Sequence, residues 1–452
     1  MTPRPPSTDH AVALLPWGNV IEEFLDSIGV SMETFVGEFT GSWMFRYVAA
    51  LREVGVRTVL VFVSARVARP TRVTHGPTGA TMYFLPAGRL HRLLRSRMRL
   101  PFGPEGNSVR QAFGAIRGLK LLAYPFLVLA RELVLYLSTP LGPLRRVLRE
   151  ERCRVILCQE YEYPRFDVCV ALGALLRLPV FGTFQGGDYW RNHFEPWLRP
   201  LAMRRCAGLI IGSAREVARV RERYRLPPAR IARIFNPVDV RAWQGTARHS
   251  ARARLGIPAD ARVLVWHGRV SIWPKGLDIL LTAWERVRAE RPGQILRLLL
   301  VGTGPDAGKL QERMGRAPRP DIHWVNEFVH DPAVIREYLA AGDVYAFPSR
   351  HEGFPVAPLE AMAAGLPVVA ADAQGVADIL EDGEASGGII VPTEDAAAFA
   401  AALGRLLDDE GLRHELGRRA RARAEVAFSL EAVGQQLSRF LGVGPGEPEV
   451  RG

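Results

Sequence analysis

Cysteine and lysine are scarce in this chain. Its four cysteines (Cys153, Cys158, Cys169, Cys206) sit at spacings that fit neither a zinc site nor a disulfide framework, which predicts plain thiols in a reducing compartment and no bound metal. Lysine occurs three times, as Lys120, Lys275 and Lys309, so nearly all positive charge is arginine. No internal repeat or low-complexity tract interrupts the pattern; only the Gly- and Pro-rich tail after Leu441 reads as disordered. Helix-turn-helix, zinc and RNA-recognition signatures are lacking, so nucleic acid is not expected as a partner. Leu119 to Leu137 resembles a membrane span, but Lys120, Arg131 and Glu132 break it and the clean run Leu121 to Ala130 holds about ten residues, against about 20 needed to cross. Met1 to Pro6 show no long apolar run behind a basic start, which predicts no secretory leader and a cytoplasmic location.

What is present is the profile of a soluble globular protein. The chain has 452 residues, 48% hydrophobic and 23% charged, long enough for two or three domains. Net charge is +12 and uneven: about +16 up to Pro237 and about −4 after it. Either arginine-rich composition alone or an anionic partner, such as a lipid surface or a phosphorylated acceptor, accounts for the excess.

Short apolar runs alternate with helical patterns. Ala11 to Leu15, Thr58 to Val63, Val155 to Cys158, Val180 to Thr183 and Leu209 to Gly212 read as strands in the first half. Val263 to Trp266, Leu296 to Val301, Ile322 to Val325, Val344 to Phe347 and Pro367 to Ala370 do so in the second. Continuous apolar strands separated by helices predict two doubly wound α/β domains with parallel sheets, facing each other across a cleft. Asn236-Pro237-Val238-Asp239 marks the boundary, giving domains 1–237 and 238–428 and a terminal helix and tail, 429–452. The basic, leucine-rich segment from His91 to Leu137, with Arg92, Arg95, Arg97 and Arg99, fits either a helix pair on the sheet or an amphipathic surface against anionic headgroups, peripheral on the inner face of a membrane.

The string from Pro348 to Val369 is the most informative. It follows a strand, at the carboxyl end where open α/β sheets bind ligands. Glu352 and Glu360 are two carboxylates able to accept hydroxyl hydrogen bonds; between them Gly353-Phe354-Pro355-Val356 force a loop into a helix whose first turn suits a phosphate. A second constellation, His267-Gly268-Arg269 with Lys275-Gly276, puts two cations at the lip of the same sheet, suited to a diphosphate gaining charge. Gly302-Thr303-Gly304 is a third turn at that edge.

These elements, with Ile390-Val391-Pro392, resemble the retaining nucleotide-sugar glycosyltransferases of family 4, which have the GT-B fold; the resemblance is dense from about Arg262 to Phe428 and sparse before it. It implies catalytic roles for Arg269, Lys275 and Glu352. The first two would hold the donor diphosphate and Glu352 the donor sugar. It places Gly268, Gly302, Gly304, Gly353, Phe354, Pro355, Val356 and Glu360 around the donor, with Glu360 on the ribose. It further implies no cofactor beyond the nucleotide-sugar co-substrate and no metal, in keeping with the lack of any Asp-x-Asp, and a terminal helix, Ser429 to Leu441, crossing back to the first domain.

Two departures stand out. The family's early glycine loop has its counterpart in Gly37-Glu38-Phe39-Thr40-Gly41, with the glycines spaced apart; Gly37, Thr40 and Gly41 are the candidates there. Where many members carry a histidine, Gln185 stands, followed closely by Asp188; glutamine can hydrogen-bond a sugar hydroxyl but cannot carry a proton. The expected partners are a nucleotide-sugar donor and a hydroxyl acceptor, lipid-linked or soluble, in glycan biosynthesis. An epimerase or hydrolase on the same fold, or a non-catalytic sugar-nucleotide binder at a membrane surface, are the alternatives.

Overall fold

A computed structural model describes residues 11–40, 43–96, 124–186, 193–315, 319–329 and 331–444, side chains 95, 96, 127 and 131 excepted. The chain divides into two compact units: Met1–Ile211 with Glu216–Ile234 and Gly434–Gly452, and Gly212–Arg215 with Phe235–Val433. The passage between them falls just before the Asn236 boundary because Phe235 stacks on Phe354 of the second unit, ring centroids 5.0 Å apart.

The first unit is built on an eight-stranded sheet. Its strands are β1 (Ala11–Leu15), β2 (Arg57–Ser64), β3 (Thr71–Thr74), β4 (Thr81–Pro86), β5 (Cys153–Cys158), β6 (Val180–Phe184), β7 (Gly208–Ile211) and β8 (Ile231–Ala232), in the order β3-β4-β2-β1-β5-β6-β7-β8. All neighbours run parallel except β3 against β4. Helix Leu430–Leu441 joins this unit from Gly434 on, with Phe440 against Phe181 at 5.3 Å.

The second unit has a six-stranded parallel sheet, β11-β10-β9-β12-β13-β14, made of β9 (Arg262–His267), β10 (Leu296–Val301), β11 (Ile322–Val325), β12 (Val344–Phe347), β13 (Val368–Ala371) and β14 (Gly388–Val391). Its apolar runs divide strictly by parity. Val263, Val265, Leu299 and Val301 bury on one face, and Leu264, Trp266, Leu298 and Leu300 on the other. Both faces are covered by helices, which leaves the loops at the strand ends as the place for chemistry.

The apolar stretch after residue 120 is helical from Tyr124 on. Helical residues Tyr124–Glu150 are long and apolar enough, by length and composition alone, to cross a membrane. The charge expected to interrupt the run is compensated: Glu132 is buried and accepts hydrogen bonds from the His193 N–H (2.7 Å) and Nδ1 (3.0 Å). A turn before Leu141 nonetheless divides the stretch into helices Tyr124–Tyr136 and Leu141–Glu150.

Candidate functional site

The carboxyl edge of the second sheet gathers the donor-side residues singled out above. β9 ends at His267, and the chain turns through Gly268 and the exposed Arg269 into the short helix Ile272–Lys275. Gly302, just after β10, has a φ of 130° and approaches Gly268 so closely that a Cβ would strike its carbonyl. Backbone bonds lace the two turns: Gly268 N–H to the Val301 carbonyl (3.0 Å) and Val270 N–H to the Thr303 carbonyl (2.9 Å). Gly304 packs against the Val270 backbone. Gly276, with φ 62° and its Cα against the Pro348 carbonyl, separates Lys275 from helix Leu277–Glu290.

Lys275 and Glu352 form an ion pair, Nζ to Oε1 2.7 Å, with side chains 24% and 9% exposed. The structure thus couples two groups that the family resemblance assigns to different parts of a donor. Arg269 makes no hydrogen bond or ion pair among the described residues. Glu360, on helix Ala357–Ala363, faces His267 Nε2 at 2.7 Å, while Nδ1 of the same ring is buried without a partner among the described residues. Because a carboxylate only accepts, Nε2 carries the proton. His267 was part of the string read from the sequence, but its bond to Glu360, 93 positions away, is visible only in the fold.

Gly353, Phe354 and Pro355 are buried. The Phe354 ring stacks on Phe235 and its carbonyl accepts from Asn236 Nδ2 at 3.4 Å, so this stretch offers a ligand backbone and not side chains. Val356 accepts the Glu360 N–H at 3.1 Å and starts the helix.

Arg350, unassigned by sequence reasoning, organises this edge. Its guanidinium grips both Asp278 oxygens (2.7 and 2.9 Å), Glu394 (2.8 Å) and the Trp273 carbonyl (2.8 Å). Its own N–H donates to the Pro274 carbonyl at 2.9 Å. Burial pushes the Asp278 carboxyl up, but the hydrogen bonds and charge of Arg350 outweigh it and hold the group below the usual range. This side chain, with the Arg350 backbone N–H and the Lys275–Glu352 pair, ties the loop carrying Glu352 to the helix carrying Lys275.

In the first unit, Gly37 ends helix Met32–Gly37 and abuts Gly76, and the Thr40 hydroxyl is buried without a partner among the described residues. Gly41, Asp188, Arg97 and Arg99 lie outside the described residues. Gln185 follows β6; its N–H donates to Glu160 Oε1 at 2.7 Å, and its side chain hydrogen-bonds the Tyr47 hydroxyl, which burial pushes up. Glu160, a buried carboxylate with a φ of 44°, is a further residue of this edge that sequence reasoning missed.

Residues 104–242 match the family model described as Glycosyltransferase Family 4, and residues 261–409 the one described as Glycosyl transferases group 1. D-inositol 3-phosphate glycosyltransferase of Kineococcus radiotolerans is 34% identical over 216 residues, covering 45% of this chain and 49% of that protein. Alpha-D-kanosaminyltransferase of Streptomyces kanamyceticus is 28% identical over 285 residues, covering 59% and 71%. The chain spans about half the length of the D-inositol 3-phosphate glycosyltransferases it matches. Among solved structures, sucrose-phosphate synthase from Thermosynechococcus elongatus superposes with a TM-score of 0.62 at 19% identity, covering 95% of this chain and 98% of that one. Anabaena HepE, solved in complex with UDP, gives 0.63 at 17% identity, covering 96% and 99%. The likeness in structure is one of fold, and with the sequence matches it leads to one conclusion: the chain carries glycosyltransferase domains of family 4 and group 1 on the GT-B fold.

Proposed function

We propose that the protein is a retaining glycosyltransferase that moves a sugar from a nucleotide diphosphate sugar to a hydroxyl acceptor without a metal ion or other cofactor. The observation that carries this reading is the gathering of Arg269, the Lys275–Glu352 pair and the His267–Glu360 pair at one sheet edge. A diphosphate arriving there meets an exposed guanidinium and an ammonium whose counter-charge can be exchanged. As phosphate oxygens take Lys275, Glu352 is released to accept hydroxyl hydrogen bonds from the donor sugar. Glu360, oriented by His267, accepts from a ribose. When the sugar–phosphate bond breaks, charge grows on the leaving diphosphate, and cations already in place stabilise that state more than the ground state. The UDP complex of HepE, which shares the fold, supports a nucleotide diphosphate as leaving group.

Alanine at Lys275 or Arg269 is expected to cut turnover about 100-fold, since one lost donor at a developing charge costs about 3 kcal/mol. EDTA should leave the wild type active. Near-wild-type turnover in both variants, or activity lost to EDTA and restored by manganese, contradicts the assignment.

For the acceptor we favour a lipid-linked hydroxyl at an anionic membrane surface, on one observation. Helices Arg89–Ser96 and Tyr124–Tyr136 are locked together by buried His91, whose Nδ1 lies 2.8 Å from the Val134 carbonyl. Together they expose Leu90 (51%), Leu93 (52%) and Phe126 (73%) beside the exposed Arg89 and Arg92. Apolar side chains flanked by arginines suit acyl chains below and anionic phosphates above.

A further inference from the structure

Single exposed apolar side chains are ordinary on a protein surface, but here they cluster. Of the fifteen large ones exposed among the described residues, nine lie on three helices of the first unit: two on Arg89–Ser96, four on Tyr124–Tyr136 and three on Glu195–Arg205. On the last helix, Trp197 (77%), Leu198, Leu201, Arg204 and Arg205 are exposed at helical spacing and form one stripe. Glu195, Arg199, Ala202 and Met203 are buried on its other side. The stripe is apolar over the first two turns and cationic at the end, about 11 Å from Trp197 at 1.5 Å per residue.

Helix Glu195–Arg205 is fixed to Tyr124–Tyr136. Buried Asp167 accepts from Arg199 Nε (2.6 Å) and Nη2 (3.0 Å) and from the Tyr136 hydroxyl (3.2 Å), so one carboxylate knots both helices. The Tyr136 and Phe194 rings meet edge-on at 5.9 Å, beside the His193–Glu132 bonds. The three helices hold two acids, Glu132 and Glu195, and both are buried. The exposed charges among their described side chains are Arg89, Arg92, Arg204 and Arg205. Arg89–Ser96 and Glu195–Arg205 follow β4 and β6, so both start at the carboxyl edge of the first sheet, the edge of Glu160 and Gln185.

We propose that the stripe on Glu195–Arg205 is a second foot on an anionic bilayer, with Trp197, Leu198 and Leu201 entering the boundary of headgroups and acyl chains and Arg204 and Arg205 holding lipid phosphates. This rests on the reading of Arg89–Ser96 and Tyr124–Tyr136 as a membrane face and extends it to a third helix. An indole suits that boundary because its rings are apolar and its N–H is polar. A second copy of the chain fits worse, since a two-fold contact through this face would set arginines against arginines. A bilayer supplies both layers at once. It also brings the acceptor edge of the first sheet to the headgroups, where a lipid-linked hydroxyl lies.

The test uses the full chain with vesicles of phosphatidylglycerol and phosphatidylcholine whose acyl chains carry bromine, a contact quencher of indole. Wild-type fluorescence should fall on binding, and Trp197→Phe, which keeps an apolar ring, should still bind but lose most of that quenching. In sedimentation with unbrominated vesicles, Trp197→Ala with Leu201→Ala should weaken binding at least about tenfold. Arg204→Gln with Arg205→Gln should weaken it about thirtyfold, and neither pair should shift thermal unfolding. These losses beside wild-type affinity in Arg89→Gln, Arg92→Gln would uphold the second foot and overturn the first face. Wild-type affinity in both stripe variants, or undiminished quenching in Trp197→Phe, overturns the inference, and a loss in Arg89→Gln, Arg92→Gln then leaves the first face standing. A wild-type dimer that Trp197→Ala dissociates also overturns it, and failure of the wild type to bind anionic vesicles overturns both.

Discussion

Arg350 shows how a single side chain sets the geometry of others. Its fork on Asp278 and its bond to the Trp273 carbonyl hold the helix of Lys275 against the loop of Glu352. Lysine keeps the charge but not the planar fork, so Arg350→Lys should lower kcat about tenfold or more while the chain stays folded, and Asp278→Asn should do the same without adding to it in the double variant. Additive losses, or wild-type kcat in Arg350→Lys, would show that the clamp does not position the pair. This residue lies inside the string that carries the family resemblance, as His267 does, yet neither role was legible there. Their partners are 72 and 93 positions away, and pattern along a chain carries no information about such pairings until the sheet order is known. The positions of Glu352, Glu360, Arg269 and Lys275 at the sheet edge were legible because each follows a strand or glycine turn that the apolar runs locate, whereas the roles proposed for them rest on the family resemblance.

Elements were legible in proportion to the apolar signal they carry. The buried parallel strands read directly from their runs, whereas β3, Thr71–Thr74, is an edge strand with mostly exposed side chains and gives no such run. β14 shows in the sequence only as a motif, since its two isoleucines are half-buried behind Gly388. β4 is apolar but ends on Pro86, which reads as a turn. The turns at the functional edge depend on glycine in a way that can be measured. Gly302→Ala adds a Cβ against the Gly268 carbonyl at a φ of 130°, so a loss of about 1 to 3 kcal/mol in denaturant stability is expected, together with weaker donor binding through the displaced Arg269 turn. An unchanged unfolding midpoint would show that the two turns have room to part.

At the scale of the whole molecule the charge is divided, positive excess lying in the half that carries the exposed leucine and arginine face. Anionic vesicles should therefore bind the protein more tightly than neutral ones, and less tightly as salt rises, because exposed charges are screened within about 8 Å at physiological ionic strength. Each arginine near such a surface contributes about 1 kcal/mol, so Arg89→Gln with Arg92→Gln should weaken vesicle binding about thirtyfold and leave donor binding unchanged. Equal sedimentation with neutral and anionic vesicles would leave a soluble acceptor as the better assignment.

Retaining transfer from a nucleotide sugar at the Lys275–Glu352 edge is tested most directly by the anomer that first leaves the enzyme. The donor is the nucleotide sugar that raises the unfolding temperature most, stabilisation of about 2.7 kcal/mol being expected at a hundredfold excess over Kd. Incubated with an α-configured donor and no acceptor, the protein should transfer slowly to water, and early proton NMR should show the α-sugar before mutarotation, with the signal absent in Lys275→Ala. First release of the β-sugar, or hydrolysis that survives in Lys275→Ala, would contradict the retaining assignment and the place given to this pair.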